Sequence, residues 1–169
     1  MNAIDPLPLA AETTAALESV TTATLTTVLL KKGLRNVWIR GARPVGEAAA
    51  ARRRAGRAFT LRFVPAREDL ATPASVTGLT FVGWQEPIGC GGVAVMPNDV
   101  IVADGDGAVV VPAALLDEVL ESALEQERLE GWIMREVEAG VPLPGLYPSN
   151  EATKARYEAW RATQPNAMR

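Results

Sequence analysis

Histidine is absent from this 169-residue chain, and cysteine occurs once, at Cys90. That excludes an intramolecular disulfide, the Cys/His spacings that hold zinc, and any Ser/His or Cys/His nucleophile pair. Chemistry would have to come from carboxylates, Arg, Lys, Tyr or backbone groups, and a bound metal would be a hard cation with oxygen ligands. No apolar run approaches the roughly 20 residues of a membrane span, and no basic segment followed by an apolar core opens the sequence. No anchor or signal peptide is therefore expected, and a cytoplasmic location is the default. What remains is ordinary: 48% hydrophobic and 22% charged residues describe a globular protein with a length suited to one domain rather than two.

Acidic residues are scarce in one stretch. Between Lys31 and Arg67 there are 11 basic residues against a single acid, Glu47, whereas from Glu68 onward 16 acids face six bases. Such halves attract each other within or between subunits, or the basic half faces an anionic partner. The Arg52-Arg53-Arg54 run suits phosphate contacts, but neither interleaved aromatics nor a nucleic-acid-binding motif accompanies it.

Val93 to Pro112 is the one place where a supersecondary unit is legible directly. Val100–Ala103 and Ala108–Val111 flank Asp104-Gly105-Asp106-Gly107, and β-branched runs around Asp-Gly pairs predict two antiparallel strands joined by a short turn. Asp104 and Asp106 are then turn carboxylates. Pro97 and Asn98 break an earlier run, Val93–Val95, and Pro112 opens a helix.

The remaining elements follow in order. Residues 1–11, with Pro6 and Pro8, are expected to be a flexible arm. A helix is expected from about Glu12 to Lys32, with Leu17, Val20, Thr24, Leu25 and Val28 inward and Gly33 as its C-terminal cap. Val37–Ile39 is a short strand, Glu47–Arg54 a helical turn or loop, and Ala58–Val64 a strand ended by Pro65. After a turn-rich passage, Leu79–Trp84 is another strand. Gly89-Cys90-Gly91-Gly92 permits tight turning or close backbone approach, and its N–H groups could face an anion.

Ala113 to Ala139 is the longest helix, with Leu116, Leu120, Ala123, Met134 and Val137 on one stripe, widened by Leu115, Val119, Leu129 and Ile133. Glu127 and Glu130 fall on that stripe and share a face. They form either a solvated or inter-subunit patch or place a carboxylate toward an active-site cleft. A short helix, Asn150–Ala162, is anchored by Tyr157 and Trp160. The strands near 58–64, 79–84, 100–103 and 108–111 are expected to share one core with the helix from Ala113 packed on it.

These pieces resemble the RraA-like family, which includes the regulator of ribonuclease activity A and the 4-hydroxy-4-methyl-2-oxoglutarate aldolases. Thr21–Gly33 looks like the family's opening helix and Gly56–Leu61 like its first core strand. The stretch from Gly91 through Asp99 and on from Asp104 to Pro112 is the most specific. Asn98 stands where the family usually has glycine, and Thr27 where it often has aspartate.

The resemblance implies an α/β fold, the swivelling β/β/α domain, in residues 12–140, with an extension at 141–169. It also implies assembly into homotrimers or hexamers with sites between subunits. Family enzymes are lyases dependent on divalent magnesium or manganese. They cleave 2-oxo acids or decarboxylate oxaloacetate through a pyruvate enolate, which the metal stabilises while an arginine holds the carboxylate. Both functions come from a Gly-x-x-Arg-Asp motif. No Arg-Asp dipeptide occurs here, and the chain passes from about residue 71 to 78 directly into the strand at Leu79, where the family would place a central block. Glu130 is the candidate for the glutamate that the family's C-terminal helix lends to a neighbouring site. Three readings stand: a lyase impaired by the loss, a non-catalytic interaction protein of the ribonuclease-regulator type, and an RNA-binding module using Arg52–Arg67.

Overall fold

The structure is a computed structural model and describes residues 8–47, 51–67, 69 and 78–164. It divides into two compact units, Met1–Ala123 and Leu124–Arg169.

In the first unit the expected opening helix is two helices, α1 (Ala11–Ser19) and α2 (Thr22–Lys31). Val20 is extended between them, and the Thr21 hydroxyl accepts the Thr24 N–H at 3.1 Å. A threonine hydroxyl that can cap a helix start competes with helix continuation, so the threonine-rich stretch breaks here. The inward face is as expected: Leu17, Val20, Thr24, Leu25 and Val28 are all buried. Gly33, at φ +87°, closes α2 through Gly33 N–H to Leu30 O and Leu34 N–H to Leu29 O, a left-handed glycine cap.

The main sheet is antiparallel throughout, in the order β1-β8-β7-β2, with β1 at Trp38–Ile39, β2 at Arg54–Arg57, β7 at Val100–Ala103 and β8 at Ala108–Val111. The Asp-Gly hairpin joins β7 to β8 as the expected antiparallel pair. Of its two turn glycines, Gly107 has a positive φ, and a Cβ there would lie 2.5 Å from the Trp38 ring. All four residues of β8 are buried. Val109 and Val111 share one face by strand alternation, while Ala108 and Val110 join Ile39, Ala58, Val93 and Val95 in a cluster on the other. α1 lies against β2 and α2 against β8.

β5 (Ile88–Cys90) and β6 (Val93–Val95) form a two-stranded hairpin whose two-residue turn is Gly91-Gly92, both at positive φ. The glycine cluster thus serves tight turning and close approach: a Cβ on Gly91 would sit 2.6 Å from the Arg40 backbone.

One expectation fails here. Ala58–Val64 is not a single strand, because β2 ends at Arg57 and β3 begins at Leu61. β3 (Leu61–Pro65) pairs only with β4 (Leu79–Trp84) among the described residues. Every residue of the two strands is exposed except the half-buried Gly83, so this hairpin does not share the core of β7 and β8. The strand pattern was legible, but alternation cannot say whether a strand's apolar face has a partner.

A 3₁₀ turn at Ala113–Leu115 leads into α3 (Leu116–Glu138), whose Leu116, Val119 and Ala123 are buried in the first unit. In the second unit Trp132 and Ile133 of α3 are buried with Leu146 and Tyr157, and Trp160 packs partly on them. Met134 and Val137, expected inward, are exposed, because the aromatic cluster draws the buried stripe toward Trp132. α4 (Glu151–Ala162) is capped by the Asn150 side chain, which accepts the Thr153 N–H. Tyr157 and Trp160 anchor it as expected.

Candidate functional site

The turn after β7 reaches the start of α2. Asp104 accepts the Thr22 N–H at 2.9 Å, the Thr22 hydroxyl at 2.8 Å and the Asp106 N–H at 3.0 Å. Thr21 caps α2 locally, and Asp104 supplies a second, charged cap from 82 positions away, where a carboxylate complements the positive end of the helix. Burial works to raise the Asp104 pKa, but hydrogen bonds from Thr22, Asp106 and Gly107 outweigh it and hold the carboxyl below its ordinary value.

Asp99 has a comparable duty. It is buried and accepts the N–H groups of Met96 at 2.8 Å and Ala113 at 3.0 Å, fastening the loop before β7 to the turn that opens α3. Sequence reading missed it, although an Asp directly after a Pro-Asn pair is a turn signal that could have found it. Neighbouring Asn98 takes φ +68°, and its buried Oδ1 has no hydrogen-bond partner. The glycine that the resemblance places here is what that backbone favours.

Two sequence features meet around Asp104. A cavity of about 520 Å³ is lined by Glu18, Thr21, Arg52, Arg53, Asp104 and Asp106. A second, of about 190 Å³, has Arg43, Arg52 and Arg54 on its wall together with Asp104. Arg53 donates to the carbonyls of Glu18 and Ser19 at the end of α1, so this arginine closes a helix. Arg57 donates to Asn98 O, and Arg62 and Arg67 pair with Glu86 and Asp69. Much of the basic run is thereby engaged within the chain.

Glu130 is half-buried on α3 and accepts a hydrogen bond from Gln126 at 2.8 Å. It belongs to the second unit, and Asp99 and Asp104 belong to the first. A hard divalent cation needs several oxygen ligands converging on one point. The carboxylates do not offer that arrangement: no group of three or more acidic or cysteine side chains with suitable spacing exists among the described residues. Asp99 and Asp104 already spend their oxygens on backbone N–H groups. The described residues do not fit the metal that the resemblance implies. The expected junction near 71–78 lies outside the described residues apart from Gly78.

Comparison with known proteins follows the same division between fold and site. No protein-family model matches the chain. A protein of Halalkalibacterium halodurans, named provisionally as a 4-hydroxy-4-methyl-2-oxoglutarate aldolase, is 44% identical over 41 residues, which is 24% of this chain and 20% of that protein. The match therefore spans a fifth of the curated relative's length. Among solved structures, Streptomyces coelicolor RraAS2, described as an unusual member of the RNase ES inhibitor RraA family, superposes with a TM-score of 0.65 at 23% identity. The superposition covers 75% of this chain and 97% of that one. The chain has an RraA-like fold. An uncharacterized protein from Pseudomonas syringae has the same fold, with a TM-score of 0.71 at 18% identity, covering 88% of this chain and 99% of its own. The RraA-like architecture is thus present in the sheet and its helices, while Asp99 and Asp104 are committed to a loop before β7 and to the start of α2. No helix among the described residues is long and apolar enough to cross a membrane.

Proposed function

We propose that this RraA-like chain descends from the divalent-metal-dependent 2-oxo-acid lyases and acts by binding, with little or no aldolase or oxaloacetate decarboxylase turnover. The observation that carries the reading is the fate of its carboxylates. Asp99 and Asp104 are consumed by backbone N–H groups, and the sequence has no Arg-Asp pair to place a guanidinium beside a metal ligand. Enolate chemistry needs both a fixed cation and a fixed donor on the substrate carboxylate, and losing one such preorganised contact costs roughly 10²- to 10³-fold in rate. The 41-residue likeness to an aldolase-named protein supports the ancestry. The exposed faces of β3 and β4 support the absence of a central block that would otherwise cover them.

The test is pyruvate release from oxaloacetate and from 4-hydroxy-4-methyl-2-oxoglutarate, with magnesium or manganese and with EDTA, on a preparation of confirmed intact mass. Turnover should stay near the buffer rate. Efficient, chelator-sensitive turnover overturns the reading.

A second reading, a non-catalytic regulator of a ribonuclease, is favoured by the name of the Streptomyces neighbour. Titrating the chain into a ribonuclease E-type assay tests it. The RNA-binding alternative is weakened by the internal engagement of Arg53, Arg57, Arg62 and Arg67. A steep salt dependence of RNA affinity would revive it.

A further inference from the structure

The hairpin of β3 and β4 has two unlike faces. The register pairs Leu61 with Trp84, Phe63 with Phe81 and Pro65 with Leu79, and a bulge beside Arg62 and Phe63 keeps these pairs on one side. Phe59 extends that side, 5.6 Å from the Trp84 ring, and Phe63 meets Phe81 edge-on at 5.7 Å. The other side carries Arg62, paired with Glu86, together with Val64 and Thr80. The aromatic face thus has no charged residue. Yet Phe59, Leu61, Phe63, Leu79, Phe81 and Trp84 are each between 46% and 52% exposed, a contiguous apolar surface comparable to the largest patches that soluble monomers carry, which often serve binding.

We propose that this face is a two-fold interface with a second copy of the same chain, aromatic ladder against aromatic ladder. Three observations select that occupant. The first is area: an aromatic side chain spans roughly 150–250 Å², so four of them half exposed, with two leucines, offer about 500 Å² per chain. A symmetric pair would bury about 1,000 Å², the lower bound for a specific interface. The second is charge: a face with none carries no electrostatic code for a different partner and matches the charge-depleted centre of a homodimer contact. The third is geometry: a face built from cross-strand pairs of a single hairpin can meet its own copy across a two-fold axis, the arrangement an isologous contact requires. The inference is independent of the functional reading, since a lyase and a regulator would both have to cover this surface.

The experiment is sedimentation velocity on the full chain across a micromolar concentration series, with Phe63→Glu and Val64→Glu beside the wild type. The two substitutions place the same charge on adjacent residues of one strand, on opposite faces. Circular dichroism confirms that each variant keeps the fold. The wild type and Val64→Glu should associate in a two-fold step, and Phe63→Glu should weaken that association at least tenfold. A wild type that stays monomeric, leaving the face to some other partner, overturns the proposal. So does a trimer or larger assembly indifferent to Phe63→Glu, and so does equal loss of association in both variants.

Discussion

Asp104 shows how a side chain that sequence reads as ordinary turn chemistry acquires a long-range duty. Its hydrogen bonds to Thr22 and Asp106 favour the ionised form, so its pKa is lowered on folding. The resulting stability is fully present above the unfolded value, near pH 4, and is lost as the pH falls through the lowered folded value. Asp104→Asn should therefore cost about 1 kcal/mol at neutral pH and flatten the acid limb of the stability profile. Urea unfolding of both proteins at a series of pH values down to pH 3 checks this. At Asn98 the left-handed backbone and the orphaned Oδ1 act together. Asn98→Ala should lower stability by about 1 kcal/mol, since alanine takes positive φ poorly, whereas Asn98→Gly should match or exceed the wild type. Paired thermal melts decide between them, and a destabilised glycine variant would show that the asparagine side chain contributes more than its contacts indicate.

At the scale of elements, legibility followed locality. The β7–β8 hairpin, the cap at Gly33 and the helix after Asn150 were readable because each is specified by neighbours in sequence: an Asp-Gly turn, a glycine in left-handed geometry, an Asn side chain on an N–H three residues on. The break between α1 and α2 was not readable, because threonine is tolerated inside a helix and at its start alike. Nor was the isolation of β3 and β4, since an apolar strand in a core and one without a partner carry the same pattern. The joining of α4 to α3 was partly foreseen in Tyr157 and Trp160. Their true partner, Trp132, was not among the residues expected inward. Tyr157 donates its hydroxyl to Glu125 at 2.7 Å, and burial together with that carboxylate pushes its pKa from 10.0 up to about 12. Because the folded value is raised, the stabilising contribution is complete below pH 10 and is lost as the pH climbs toward 12. Tyr157→Phe should remove that alkaline loss. Monitoring the unfolding of α3 and α4 by tryptophan fluorescence from pH 9 to pH 12 would show it, and an unchanged alkaline limb in the variant would assign the loss to another group.

For the whole molecule, the resemblance gave the architecture correctly, but what it implied about metal and catalysis depends on groups that sequence position cannot place. Asp99, Asp104 and Glu130 are all acids in segments a family member would recognise. Two of them bond backbone, and the third sits in the other unit beside Gln126. A cation held at 100 times its dissociation constant would raise stability by about 2.7 kcal/mol. Saturating magnesium or manganese, or EDTA, should accordingly leave the melting temperature of this chain unmoved. A chelator-reversible rise would locate a cation site that these carboxylates do not form.

The sheet pairs β1 with β8 and β2 with β7, and α2 takes its second cap from Asp104. In the first unit, β1, β2 and α2 therefore each wait for a late element. On the ribosome, α2 and the first two strands emerge before their partners, and they stay unpaired until the Asp-Gly hairpin clears the exit tunnel. Nascent chains in that interval are open to chaperones and to one another. Slower synthesis through residues 60–112 lengthens that interval.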